Sequence, residues 1–141
     1  MTEFSDNKRR AGEYLARFGS ETTGHFINGE FLVPEGAVTF ENLTPADNSS
    51  LGEVVHGSDA DVDQACHAAA IAFEEWRATT GSLRKKLLNK LADRIVERAD
   101  EIALVESMDC GQPIRFMKQA AMRGAENFKF FADKAPEAAN G

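Results

Sequence analysis

Cysteine is scarce in this chain: Cys66 and Cys110 are the only two, far apart and without the CxxC spacing of a metal site. Two thiols are too few for a disulfide scaffold. The histidines His25, His56 and His67 have no Cys or His neighbour at ligand spacing, so each is expected on the surface or lightly packed. Long apolar runs are missing as well. Nothing approaches the roughly 20 residues that span a bilayer. The opening MTEFSDNKRR is polar, with no apolar stretch behind its basic residues, which argues against a secretory signal. Basic residues are outnumbered, 16 against 23 acidic, for a net charge of −7. Nucleic acids and anionic membranes recognise clustered positive charge, so neither is an expected partner. One basic stretch, residues 84–98, sets Arg84, Lys85, Lys86, Lys90, Arg94 and Arg98 against Asp93 and Glu97. Lys86, Lys90 and Arg94 recur every four residues and read as a solvated helix face with weak ion pairs. The cytoplasm is the expected compartment.

What is present looks globular. Hydrophobic residues make up 43% and charged residues 28% of the chain, close to the average for folded proteins, and 141 residues suffice for one core. Residues 4–18 read as an amphipathic helix with Phe4, Ala11, Leu15 and Phe18 on one side, and residues 20–24 as a linker. Asn28-Gly29 between two short apolar runs predicts a hairpin, because a type I′ turn needs positive φ at both central residues. A second extended pair is expected over 38–43 and 53–56, joined by the turn-rich stretch 44–52. From Ser58 the period lengthens. Ser58 with Asp61 forms a variant capping box, and Val62, Cys66, Ala69, Phe73 and Trp76 follow at alternating four and three spacing. This places Cys66 in the core. Ser82 is the expected cap of a second helix whose Leu83, Leu87, Leu88, Leu91 and Ile95 share a face. Asp100 opens a third, ended by Gly111 as a left-handed cap. Pro113 suits the first turn of a fourth, with Met117, Ala121, Gly124, Phe128 and Phe131 as its stripe. Residues 136–141 read as a turn. With no sheet to cover them, the helices are expected to leave an apolar patch exposed.

The usual catalytic signatures are missing. There is no GxGxxG, phosphate loop, HExxH or GxSxG, and no βαβ alternation from which to assemble a parallel nucleotide-binding sheet. The carboxylate pairs Glu74–Glu75 and Asp100–Glu101 fit solvated helix faces. Cys110 is a poor nucleophile, because a helix C-terminus and the adjacent Asp109 both disfavour the thiolate.

The order of the pieces carries more information. His25-Phe26-Ile27-Asn28-Gly29-Glu30-Phe31 resembles the first hairpin of the aldehyde dehydrogenase superfamily. Thr39-Phe40-Glu41-Asn42-Leu43-Thr44-Pro45-Ala46 and Gly52-Glu53-Val54-Val55 resemble its next two strands, with Thr44 where many members have Asn. Asp61-Val62-Asp63-Gln64-Ala65 with Ala72-Phe73-Glu74-Glu75-Trp76 is similar to its first long helix, and Arg84, Leu87-Leu88 and Leu91-Ala92-Asp93 to its second. Glu106-Ser107-Met108-Asp109-Cys110-Gly111-Gln112-Pro113-Ile114 looks like the family's Glu-x-x-Asp-x-Gly-x-Pro stretch, and Asn127-Phe128-Lys129-Phe130-Phe131-Ala132 like the aromatic end of the next helix.

The resemblance implies an α/β parent of the aldehyde dehydrogenase fold, of which this segment is two small β pairs followed by about four helices, without the Rossmann sheet. Residues 25–141 are expected to be the N-terminal part of that domain, truncated before the dinucleotide-binding core. Residues 1–24 are expected to be a partly helical extension. The parent would bind NAD or NADP and oxidise a small aldehyde, through a cysteine thiolate, hydride transfer to the nicotinamide and a Glu-activated water. Those residues are expected downstream of this segment, and Cys110 is not the counterpart of that nucleophile. Resemblance to muconic-type semialdehyde dehydrogenases points to an acidic aldehyde. It also implies a monovalent cation near Asn42, the Leu43 carbonyl and Asp109, and a place for Arg123 at the substrate entrance. The parent is expected to be a homo-oligomer. The 141-residue chain by itself is expected to bind no cofactor and to be inactive, and the rival expectation is a non-catalytic helical interaction module or truncated gene product.

Overall fold

A computed structural model describes residues 3–138. Its elements run α1 (Glu3–Gly19), β1 (His25–Ile27), β2 (Glu30–Leu32), β3 (Thr39–Leu43), β4 (Ser50–Val55), α2 (Asp59–Arg77), α3 (Gly81–Glu97), α4 (Ala99–Cys110) and α5 (Ile114–Lys134). The two antiparallel pairs β1–β2 and β3–β4 precede four helices, as the sequence implies. Among the described residues no helix is long and apolar enough to cross a membrane. The terminal turn expected over 136–141 is seen as far as residue 138, and its last three residues lie outside the described ones.

Local chemistry explains most boundaries. Asn28 (φ 53°) and Gly29 (φ 84°) make the two-residue turn that pairs Ile27 with Glu30. At α2 the Ser58 hydroxyl accepts from the Asp61 N–H, and the Asp61 carboxylate accepts from the Ser58 N–H at 2.8 Å. The cap of α3 is Thr80 rather than Ser82: its hydroxyl accepts from Leu83 N–H at 3.2 Å. Gly81, the first residue of the helix, lies against the Ala135 carbonyl and Pro136, where any Cβ would be crowded. Likewise α4 begins at Ala99, with Arg98 closing α3 and opening α4. Gly111 ends α4 at φ 72°, its N–H returning to the Ser107 carbonyl.

Small side chains form the core. Ala92 of α3, Ala103 and Leu104 of α4, and Ala121, Ala125 and Ala132 of α5 are buried where α5 lies against α3 and α4. Alanine faces let helix axes approach closely. Of the expected α5 stripe Ala121 is buried and Met117 and Gly124 half-buried, Ala125 and Ala132 complete the buried face, and Phe128 and Phe131 are exposed. On α3 the expected single face divides. Ala92 is buried and Leu88 and Ile95 half-buried, whereas Leu83, Leu87 and Leu91 are exposed. Cys66 also departs from expectation: it is exposed, because nothing covers the apolar stripe of α2.

The N-terminal helix joins this body. Arg10 pairs with Asp100 at 3.0 Å and Arg17 with Glu101 at 2.7 Å, tying α1 to α4. Residues 20–24, expected to be a linker, dock on β4: Thr23 N–H donates to the Glu53 carbonyl at 2.8 Å and Val55 N–H to the Thr23 carbonyl at 2.9 Å. Gly52 (φ 122°) permits the approach, since a Cβ there would overlap the Phe18 carbonyl.

Thr44 connects the strands to the helices. It is fully buried, and its hydroxyl donates to the Met108 carbonyl at 2.5 Å. That carbonyl belongs to the last turn of α4, where no further helical N–H can reach it. Thr44→Val keeps the shape and strands the carbonyl, so we expect it to lower unfolding free energy by about 1–3 kcal/mol. Thr44→Ser keeps the donor and should cost clearly less. Urea unfolding followed by far-UV circular dichroism checks both.

Candidate functional site

Of the residues assigned to a cation, the fold brings Asn42 and Asp109 together. Asn42 Nδ2 donates to Asp109 Oδ1 at 2.7 Å, across the gap between β3 and the C-terminal end of α4. A register shift between Asn42 and Leu43 breaks the β3–β4 ladder at the same point. Pro45 lies against Gly111, where a Cβ would crowd the ring, so loop and helix end meet closely. A hard cation takes six or more oxygens. One carboxylate, one carboxamide and a backbone carbonyl fit part of such a set and leave the rest to other groups. No cluster of three or more His, Cys, Asp or Glu suited to a metal occurs among the described residues.

Arg123 is exposed on α5, opposite the buried alanines, with no ion pair or hydrogen bond among the described residues. Phe116 and Phe130, one helical repeat to either side, are exposed as well. The guanidinium thus shares an exposed helix face with two phenyl rings about 10 Å away along the axis and is open to a carboxylate. Cys110 is exposed at the end of α4 and its thiol donates to the Glu106 carbonyl at 2.9 Å. No cation pairs with it among the described residues.

Sequence reasoning missed the setting of one histidine. His25 Nε2 is buried without a hydrogen-bond partner, 3.6 Å from Asp61 Oδ2. The ring also faces Gly57, so β1 meets the start of α2 through this contact. The signal was available only as the capping box, which fixes where Asp61 points. The Ser58 hydroxyl and N–H hold the Asp61 carboxyl below the usual carboxylate range, with a smaller contribution from His25. These residues do not fit a dinucleotide, since a helix N-terminus already occupied by a carboxylate repels a phosphate.

The sequence profile of the aldehyde dehydrogenase family matches residues 32–141. The chain belongs to that family. An NADP/NAD-dependent aldehyde dehydrogenase, PuuC, of Escherichia coli K12 is 38% identical over 102 residues, which is 71% of this chain and 21% of that protein. A 2-hydroxymuconic semialdehyde dehydrogenase of Pseudomonas sp. CF600 is 38% identical over 111 residues, 77% of this chain and 23% of its own. The crystal structure of HpcC from Thermus thermophilus superposes with a TM-score of 0.86 at 39% identity, covering 91% of this chain and 25% of that one. The chain therefore spans between a fifth and a quarter of the length of these proteins.

A group whose carboxyl titrates lower in the folded than in the unfolded state stabilises the fold above its unfolded value, and the contribution fades as pH falls through the folded one. For Asp61 the contribution is full above about pH 4. The difference in urea midpoint between the native chain and Asp61→Asn should therefore be largest near neutrality and close in acid. A difference that is constant with pH would contradict the assignment.

Proposed function

We propose that this chain is the N-terminal segment of an NAD(P)-dependent aldehyde dehydrogenase that oxidises an aldehyde to a carboxylic acid. The observation that carries the reading is the family match over residues 32–141 together with the superposition at TM-score 0.86. Within such an enzyme the segment acts as scaffold. Residues 25–141 would be the start of the enzyme domain and residues 1–24 an extension bound to it through α1. The exposed leucines of α3 would lie against a nucleotide-binding sheet supplied by the rest of the protein, where NAD or NADP is held. The enzyme would work in the cytoplasm as a homo-oligomer.

The substrate we infer is a semialdehyde bearing a carboxylate. The exposed Arg123 guanidinium, unpaired among the described residues on the face it shares with Phe116 and Phe130, supports this, as does the likeness to a 2-hydroxymuconic semialdehyde dehydrogenase. In the same enzyme Asn42, the Leu43 carbonyl and Asp109 would contribute oxygens to a monovalent cation, bracing β3 against α4.

In an active enzyme carrying this segment, Arg123→Ala should raise KM for a carboxylated aldehyde about tenfold or more, the loss of a charged pair being about 1.5–3 kcal/mol. A neutral aldehyde of similar size should be unaffected. Equal KM values for the two substrates in both proteins would refute the role. The 141-residue chain by itself should reduce no NAD(P)⁺ with any aldehyde, and turnover by the purified polypeptide would refute the scaffold reading.

A further inference from the structure

Between α1, the β3–β4 loop, α4 and the start of α5 lies a cavity of about 240 Å³. Ala11 of α1 and Leu104 of α4, both buried, form its floor, and Met108 and Ile114 line the side toward α5. The space stays open because α1 and the loop turn two alanines, Ala11 and Ala46, toward it. From α1 come Phe4, Asn7, Lys8 and Ala11, which share one face at three- and four-residue spacing. All of the walls belong to this segment.

We propose that this cavity binds a small uncharged molecule, a single ring or short chain carrying one hydroxyl or carbonyl, which holds α1 against α4. Three observations point to such a ligand. The first is size. An apolar cavity of about 150 Å³ accepts benzene, so 240 Å³ accommodates one ring with a substituent. The second is polarity. The floor and the α5 side are hydrocarbon, and half-buried Asn7 has no hydrogen-bond partner among the described residues. Its carboxamide offers both a donor and an acceptor, and a polar group beside an apolar wall gains from being paired. The third is charge. Lys8 and Asp47 both line the cavity and both are exposed. Ser49 holds the Asp47 carboxyl below the usual carboxylate range through hydrogen bonds, and the Lys8 ammonium adds a smaller effect. The two charges balance, so neither sign is favoured in a ligand. Because α1 supplies one wall, ligand binding and the docking of α1 are linked, each stabilising the other.

Binding at this cavity is independent of aldehyde oxidation. The probe is p-cresol, with toluene, p-toluate and 4-methylbenzylamine for comparison. Leu104, Met108 and Ile114 place methyl groups in the lining, while Ile71 of α2 and Leu91 of α3 are exposed elsewhere. In methyl NMR spectra of the 141-residue chain, p-cresol should shift the first three with a Kd of about 1 mM, the range open to a ligand of about eight heavy atoms. Ile71 and Leu91 should not follow. Both charged analogues should bind about tenfold more weakly, the Coulomb cost of an unbalanced charge. Amide exchange in α1 should slow in step with saturation. Ala46→Phe, which fills the cavity from an exposed loop position, should abolish the shifts. Should that variant fail to fold, Asn7→Ala decides: p-cresol should weaken about fivefold, the loss of one neutral hydrogen bond, with toluene unchanged. Equal shifts at Ile71 and Leu91 would mean that exposed apolar faces take up the probe, and would overturn the proposal. Tighter binding of a charged analogue, unchanged exchange in α1, or full affinity in Ala46→Phe or Asn7→Ala would overturn it too.

Discussion

The arrangement depends on closing one helix end. An α-helix finishes with carbonyls that no further N–H can reach, and burying them unpaired is costly. Here the last turn of α4 lies under the β3–β4 loop, and Thr44 gives its hydroxyl to Met108 from a fully buried position. Backbone bonds hold Thr44 in place: its N–H donates to the Ser49 carbonyl and its carbonyl accepts from Asn48. The loop is therefore folded on itself before it meets the helix. Asn42 and Asp109 then meet on the surface above the same junction, so the polar pair assigned to a cation follows from the buried contact beneath it.

Features that depend on neighbours in sequence are legible beforehand. Asn28-Gly29, the Ser58–Asp61 box and the Gly111 cap act through φ or through a side chain reaching three residues, and the fold has each of them. The misreadings share a different cause. Spacing marks which residues of a helix share a face, but not whether another element covers it. Cys66 fits its stripe and still meets solvent, and the leucines of α3 divide because α5 covers only half of them. Ser82 has the chemistry of a cap, but the Thr80 hydroxyl, which accepts from the Leu83 N–H, is the one that starts α3. The His25–Asp61 contact joins residues 36 positions apart on separate elements, so no local pattern announces it. Asn42 and Asp109 are paired in the sequence only through the family resemblance, and Arg123 is singled out in the same way.

Charge supplements a thin apolar interior. Arg10, Arg17 and Arg98 meet Asp100 and Glu101 where α1 crosses the α3–α4 junction. Arg98 acts most strongly on Glu101, and its two bonds hold that carboxyl below the usual range, with Arg17 adding to them. Such exposed pairs are individually weak. They tie α1 to the start of α4, and the end of α1 lies over Gly52, the one place on β4 without a side chain in the way.

An interior built from alanine also sets how the fold answers to temperature. The heat capacity of unfolding grows with the apolar area that leaves the interior, and methyl-sized groups contribute little of it. Nine of the ten phenylalanines and the tryptophan, which would contribute most, are already exposed in the folded state. The stability of this chain should therefore vary gently with temperature, with a broad, low maximum in place of a steep dome.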